Sequence, residues 1–542
     1  MASLHQLEIV ILLLVAVLAL TTFARKVLIP YPILLVVGGL LLGMVPGLPV
    51  IRLDPDLVFL VFLPPILWAA AYFTSWRDFR ANLRPITLLA VGLVLATTAA
   101  VALIAHALLP GLGWAGAIAL GAIVSPPDAV AATAIARRLN LPHRVVTILE
   151  GESLVNDATA LVLYRAAIAA AVSGTFVLSE TLVQFVLAGT IGVIVGVAVG
   201  WVCRWALCLT NETSTDIGIT FLAPYVAWVL AESLHASGVL ACVAGGLYIR
   251  RYFSVIAPNT RLQARAVWGF VVFLFNAILF ILIGLQLGGL RGAIQSYGLG
   301  TLIWHGTIVS AIAIGVRLAW VPVAAYLPRL LSPALRARDP MPPWSVIFLI
   351  GWTGMRGIVS LAAALALPFT TASGALFPFR DEIILLTFAV ILSTLVLQGL
   401  TLSPLVRWLN IAPDQTLARE EAHAREQGAS AALERLEQLA TESWPIPEQV
   451  ERLRTTYAQR AKRFAQPDAA DPDCSPQAAE AYRRLRHEAL TAERQRVIDL
   501  RDQDVISDDV LHRLEHELDV EALRMGVGEM RVGLKDDKVE SS

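Results

Sequence analysis

"TILEGESLVNDATALVLY", Thr147 to Tyr164, decides how the chain is read, because an apolar, span-length segment carries three carboxylates. They are Glu150, Glu152 and Asp157. An ionised side chain at bilayer depth costs about 3 kcal/mol or more, so such acids are kept for a purpose. The composition agrees that the surroundings are apolar. The 542 residues are 56% hydrophobic and 16% charged, with a mean hydropathy of +0.67. A soluble chain of this size would carry charge on about a quarter of its residues. The class indicated is an all-α polytopic membrane protein.

Apolar runs of about 20 residues, the length that crosses a bilayer, repeat thirteen times. They lie near 7–23, 27–48, 56–73, 86–108, 114–136, 145–172, 181–205, 216–235, 238–253, 267–287, 300–326, 345–367 and 382–406. The break at 234–239 is the least marked. The first run has Glu8 as its sole preceding charge and ends in "TTFARK", so it reads as a retained span rather than a cleaved signal. Alternate loops hold sixteen Lys and Arg residues (from Arg25 and Lys26 to Arg336 and Arg338), against Arg52, Arg291 and Arg380 in the others. By the positive-inside rule the N-terminus is outside and the C-terminus cytoplasmic, in the plasma membrane.

The chain divides near residue 410. Residues 1–410 hold 23 basic and 15 acidic side chains, whereas 411–542 hold 19 and 28. The first part reads as the transmembrane domain. The second reads as a cytoplasmic tail of helices near 415–440, 446–465, 476–502 and 506–524, either a solvated surface or a regulatory segment. "QPDAADPDCSP" interrupts it and "GVGEMRVGLKDDKVESS" is expected to fray. Cys203, Cys208, Cys242 and Cys474 have no metal-ligand spacing and suggest no disulfide framework.

At a rise of about 1.5 Å per residue, Asp157 lies mid-membrane, thirteen residues in from Arg144. "SPPD", Ser125 to Asp128, and "TGMRG", Thr353 to Gly357, arrive at the same layer from spans five and twelve. Pro126 and Pro127 remove backbone donors, and Gly351, Gly354 and Gly357 weaken the helix around Arg356. With span seven as linker, each break falls in the fifth span of its half. That predicts two inverted repeats whose two broken helices cross at mid-membrane, the sequence mark of a secondary-transporter site. Glu150, Ser153 and Asp157 share one face of span six, while Glu152 and Asn156 share the next. Arg356 needs an intramembrane carboxylate, and Glu152 is the candidate.

"GESLVND" (Gly151–Asp157), followed about 200 residues later by "GMRGIVSLAAALALP" (Gly354–Pro368), resembles the monovalent cation:proton antiporters of the Na⁺/H⁺ exchanger type, above all the bacterial NhaP-like branch. "NAILFILIGLQL" (Asn276–Leu287) adds to the resemblance, as does the acidic helical tail. The family implies a thirteen-span inverted-repeat fold that forms a homodimer and moves by elevator-like alternating access. Matched by motif, Asp157 takes either a cation or a proton, Asn156 precedes it as in the electroneutral branch, and Ser153 adds a ligand to the transported ion. Glu152 and Arg356 match an intramembrane ion pair whose role is chiefly structural. This chain departs from the family at the first break. The family commonly reads Thr-Asp-Pro, whereas here Ser125 is followed by Pro126 and Pro127, and Asp128 comes two residues later. Asp128 either substitutes for the displaced acid or faces a cytoplasmic funnel, and the choice bears on ion selectivity.

Other polar residues have plainer readings. Asp157 itself could be a carboxylate held by backbone donors at the break. Glu150 is either interfacial or attracts ions to a funnel. Arg165, Glu232 and Arg317 either pair among themselves or snorkel, and are assigned no site role. His106, His235 and His305 read as interfacial, and Pro64 and Pro65 as a kink. The expected activity is exchange of Na⁺, with Li⁺ and K⁺ as alternatives, against H⁺, one for one. The expected partners are these ions, the bilayer and a second copy of the chain, with no nucleic acid and no cofactor. A cation channel would suit the acids but not paired broken helices. A sensor signalling through the tail lacks any output motif, and no nucleophile or cofactor motif points to an enzyme.

Overall fold

The computed structural model describes residues 2–27, 29–45, 54–139, 141–173, 178–210, 212–252, 258–289, 298–371, 374, 376–411, 416–465, 476–503 and 505–524. The chain is helical, and it separates into two compact units, residues 1–414 and 415–542. In the first unit the helices are α1 (Ala2–Val27), α2 (Tyr31–Gly43), α3 (Pro55–Phe73) and α4 (Leu83–Leu108). They continue with α5 (Trp114–Val124), α6 (Ala129–Arg138), α7 (His143–Ser173), α8 (Leu178–Leu209), α9 (Thr213–Ser233) and α10 (Gly238–Arg251). The last are α11 (Pro258–Gly289), α12 (Leu299–Leu331), α13 (Trp344–Trp352), α14 (Ile358–Leu365) and α15 (Arg380–Trp408).

Among the described residues eight helices, namely α3, α4, α7, α8, α9, α11, α12 and α15, are long and apolar enough to cross a membrane. Their outer faces show why a membrane is required. Leu12, Val186, Leu222 and Ile303 are among many large apolar side chains left exposed, a surface no soluble monomer presents at this extent.

Interior contacts are made by small residues that let backbones approach. A Cβ added at Gly39 of α2 would fall on the Ile281 carbonyl of α11, and one at Gly284 of α11 on the Val36 carbonyl of α2. Gly192, Gly196 and Gly200, four apart on α8, lie against the backbone of Ser237, Ala241 and Gly245 around α10. Without a hydrophobic force between helices in lipid, such close packing is what holds a bundle together.

Two local features add detail to the sequence reading. Pro64 and Pro65 lie inside α3, but the disruption is taken up by a π-helical turn at Val58–Phe62 just before them, a known way to absorb lost donors. His235 takes a left-handed φ of 54° in the tight link between α9 and α10, so it is a turn residue at the end of a span. There the Ser237 hydroxyl accepts the Leu240 N–H at 3.3 Å.

The second unit holds α16 (Thr416–Leu439), α17 (Pro447–Ala465), α18 (Pro476–Asp502) and α19 (Asp508–Arg524). Arg486 and Glu521 link the last two at 2.7 Å, and Arg494 pairs with Asp519. The expected Pro/Asp-rich interruption at 466–475 and the expected fraying after 524 lie outside the described residues.

The α2–α11 contact gives a direct test. Gly39→Val should cost about 2 kcal/mol by overpacking, read as a lower melting temperature of the purified protein. Gly218→Ala, where an added Cβ meets nothing, should leave it unchanged.

Candidate functional site

The helical pattern fails twice where the sequence says it should. Helix α5 stops at Val124 and α6 starts at Ala129. Helix α13 stops at Trp352 and α14 starts at Ile358. Each break strands carbonyls at the end of one half-helix and N–H groups at the start of the next, and in lipid none of these finds water. The two breaks meet, and they satisfy each other in part: the Asp128 N–H donates to the Met355 carbonyl at 2.7 Å.

Two arginines serve the remaining carbonyls. Arg356, buried at the second break, donates from Nε to the Val124 carbonyl at 3.0 Å. It also reaches the Gly354 carbonyl and, at 3.4 Å, that of Ala313. Its backbone N–H donates to Thr394 Oγ1 of α15 at 3.1 Å. Arg317 of α12, fully buried, donates to the Ile350 carbonyl from Nε at 3.3 Å and Nη2 at 3.2 Å. Each guanidinium thus sits at the C-terminal end of a half-helix, where the helix dipole is negative: Arg356 on α5 and Arg317 on α13.

The expected ion pair is corrected here. Glu152 pairs with Arg317, not with Arg356. The two guanidinium nitrogens of Arg317 fork onto the two carboxylate oxygens at 2.5 and 2.9 Å. A bidentate fork fills the carboxylate, while the donors of Arg356 are taken by carbonyls freed at the breaks. Arg356 remains close enough to feel the charges of both partners. Arg317 is the site residue that sequence reasoning missed. It lies fourteen residues from the end of α12, about 21 Å along the helix. The same depth argument applied to spans five, six and twelve would have placed it in their layer. Arg165 and Glu232, left open beside it, pair with each other at 3.0 Å.

Helix α7 brings the acids to the breaks. Asn156, wholly buried, donates from Nδ2 to the Pro127 carbonyl at 2.8 Å. Asp157 is 7% exposed, and among the described residues no hydrogen bond or ion pair engages its carboxylate. Asp128 is half-buried and caps α6: its Oδ1 accepts the Val130 N–H at 2.8 Å, as an N-cap side chain does. Its other oxygen lies over Gly357, where an added Cβ would collide with it. Ser125 is buried and spends its hydroxyl proton on the Ala122 carbonyl at 3.0 Å, which leaves its lone pairs for a ligand. Ser153 and Glu150 are half-buried on α7.

Toward the other helix ends, His106 Nδ1 meets the Leu112 carbonyl at 2.8 Å and the ring stacks on Trp114. His305 pairs with buried Glu382 at 3.2 Å. Neither pair belongs to the breaks.

A membrane-embedded carboxylate beside two facing broken helices defines a secondary cation transporter. Within that class the chain belongs to the sodium/hydrogen exchanger transmembrane family, whose pattern matches residues 11–408. It is a monovalent cation:proton antiporter, hence a transporter and not an enzyme. An uncharacterized Na(+)/H(+) exchanger of Mycobacterium bovis is 36% identical over 525 residues, covering 96% of each chain. The Na(+)/H(+) antiporter ApNhaP of Aphanothece halophytica is 32% identical, over 77% of this chain and 76% of its own. A sodium, potassium, lithium and rubidium/H(+) antiporter of Bacillus pumilus is 34% identical, over 69% of this chain and 57% of its own. The fold is similar to that of the sodium proton antiporter MjNhaP1 of Methanocaldococcus jannaschii. The TM-score is 0.58 at 19% identity, over 76% of this chain and 99% of that one.

The Glu152–Arg317 pair predicts a coupling pattern. Removing either partner should cost about 3–5 kcal/mol by stranding a buried charge. In a double-mutant cycle, Glu152→Gln with Arg317→Gln should cost far less than the sum of the singles. Glu152→Gln with Arg356→Gln should show the smaller coupling, measured by thermal unfolding in detergent.

Proposed function

We propose that the protein exchanges one Na⁺, with Li⁺ and K⁺ as alternative cargo, for one H⁺ by competition at Asp157. The observation that carries this reading is a buried carboxylate with no hydrogen-bond or ion-pair partner among the described residues, set beside two helix breaks. A bare charge cannot stay in that environment. Asp157 therefore holds a proton or holds a cation, and binding of one excludes the other. Lone pairs of Ser125 and Ser153 and the freed carbonyls at the breaks are the neutral oxygens suited to an alkali ion. Asn156 is bound to the Pro127 carbonyl and cannot take up a proton, so its part is to hold α7 against the first break.

The wider reading is thirteen spans, counting α5 with α6 and α13 with α14 as one each, in two inverted repeats. The N-terminus lies outside and the helical tail lies in the cytoplasm of a plasma-membrane homodimer, where the tail biases the transport cycle. Alternating access exposes Asp157 to one side and then the other. The broad cation range named for the Bacillus pumilus relative supports keeping Li⁺ and K⁺ as cargo. The displaced Asp128 supports a selectivity of this chain's own.

Asp157→Asn removes the charge at nearly constant volume. In everted vesicles, cation-induced proton release should fall to background although the protein is folded and inserted, and substantial residual exchange would sink the assignment. Stoichiometry has a separate test. Glu152 and Arg317 neutralise each other, Arg356 keeps its charge, and Asp128 is committed to capping α6, so one carboxylate cycles per ion. A potential is worth about 2.3 kcal/mol per charge per 100 mV to a process that moves charge. In proteoliposomes with the potential clamped, the exchange rate should not change between zero and imposed potentials. Clear dependence would identify Asp128 as a second titrating group.

A further inference from the structure

Away from the breaks, one end of the helix bundle collects an unusual positive charge. Residues 75–84, 143–144 and 329–344 hold seven arginines against two aspartates. Three of the arginines converge on a single carboxylate, Asp339, in the link between α12 and α13. Arg84 Nη2 lies 2.8 Å from Asp339 Oδ2. Arg144 forks onto both oxygens at 3.0 and 3.1 Å. Arg329 donates from Nη2 to Oδ2 at 2.7 Å and from Nε to the Asp339 carbonyl at 3.1 Å. Burial alone would raise the Asp339 carboxyl, but the Arg144 hydrogen bond and the charges of Arg144, Arg329 and Arg84 hold it below its usual range. The carboxylate is thus ionised, and three guanidinium charges share one counter-charge.

The second aspartate does not relieve the excess. Asp78 faces His143 at 3.1 Å, and Asn82 Oδ1 accepts from Arg144 Nε at 3.0 Å. Arg84 Nη1 is buried and has no hydrogen-bond partner among the described residues. A guanidinium N–H left unpaired is costly, and the chemistry that suits it is a tetrahedral oxyanion with oxygens to spare. Leu83, Leu330, Leu331 and Trp344, all strongly exposed, flank the cluster. Exposed leucines and a tryptophan beside basic side chains at helix ends are the setting of a lipid headgroup.

We propose that Arg84, Arg144 and Arg329 form a binding site for a phosphate group, with Asp339 as its built-in competitor. The apolar flank favours a phosphate carried by an anionic phospholipid, and free phosphate is the other source of the same chemistry. Arginine forks match phosphate oxygens in pairs. A phosphate bound here would tie together the starts of α4 and α7 and the link into α13. Those helices lead to Asp157 and to the second break, so occupancy would brace the transport core from one end.

The full-length protein tests this in three arms. Thermal unfolding is followed in nanodiscs of phosphatidylcholine alone, in the same with phosphatidylglycerol, and in phosphatidylcholine with inorganic phosphate. A saturable upward shift with phosphatidylglycerol alone assigns the site to lipid. An equal shift with inorganic phosphate assigns it to the free ion, and no shift with either overturns the proposal. Arg84→Gln should abolish the shift. Asp339→Asn separates a binding site from a plain ionic staple, because the two readings give opposite signs. Loss of the competitor should enlarge the anion-dependent shift even if it lowers the starting melting temperature. A variant equally destabilised in all three arms, with no larger shift, would show that the cluster is only a staple. The Asp339 variant decides the matter even if the Arg84 variant does not fold.

Discussion

The structure depends on one constraint: two helices are interrupted at membrane depth, where backbone groups freed at the breaks must be met by the protein or face a polar site. The partners are few and identifiable. Arg356 takes the Val124 carbonyl at the end of α5, and Arg317 takes Ile350 at the end of α13. Asn156 takes Pro127, and the Asp128 N–H crosses to Met355. These four contacts join α5, α7, α12 and α13, so the breaks are a shared element of several helices and not local defects. A bundle held by close glycine contacts, such as Gly39 with Gly284, can carry such a polar centre because its remaining contacts need no polar groups at all.

The same constraint explains why the charges are arranged unequally. Glu152 answers the charge of Arg317, and the second buried guanidinium, Arg356, is held by carbonyls at the negative end of a half-helix, which has no proton to exchange. Glu152 is filled by Arg317 and Asp128 is spent in part on the start of α6. Among the described residues no hydrogen bond or ion pair commits the third carboxylate at the breaks, Asp157, to the scaffold. A transport carboxylate must be free in this sense, because a group whose energy is already spent on holding the fold cannot switch between proton and cation without loosening it.

Much of this was legible in the sequence through depth. Pro126, Pro127 and the glycines around Arg356 announce breaks, and counting residues from Arg144 and Trp344 brings those breaks and Asp157 to one layer. Asn156 of α7 meets the first break at the Pro127 carbonyl. The sequence points to the wrong partner for Glu152 because only one arginine, Arg356, lies on a broken helix and a buried arginine calls for a carboxylate. The stronger demand on Arg356 came from carbonyls, which leave no mark in a sequence. Arg317 was grouped with Arg165 as a snorkelling or pairing residue, although α12 is long enough to carry it to mid-membrane. The loop residue Asp339 was invisible for a different reason: one of its three arginines, Arg84, lies 255 residues away in the chain, and only the fold brings them together.

On the proposed mechanism, the double proline at the first break bears on selectivity. Proline at 126 removes an acid from the position beside Ser125, and Asp128 restores one about half a helical turn later. At that place the carboxylate is the first cap of α6, so one oxygen is directed to Val130 and the other toward Gly357 across the break. Only a residue without a side chain fits opposite, because a Cβ at 357 would occupy the space of that oxygen. On the proposed mechanism Asp128 is therefore a charge beside the ion and not a ligand in the plane of Ser125. A second negative charge outside the coordinating shell strengthens attraction for any monovalent cation without fixing a cavity size. Discrimination between Na⁺, Li⁺ and K⁺ then falls to the neutral oxygens, whose spacing is set by how tightly Asn156 and Arg356 draw the two breaks together.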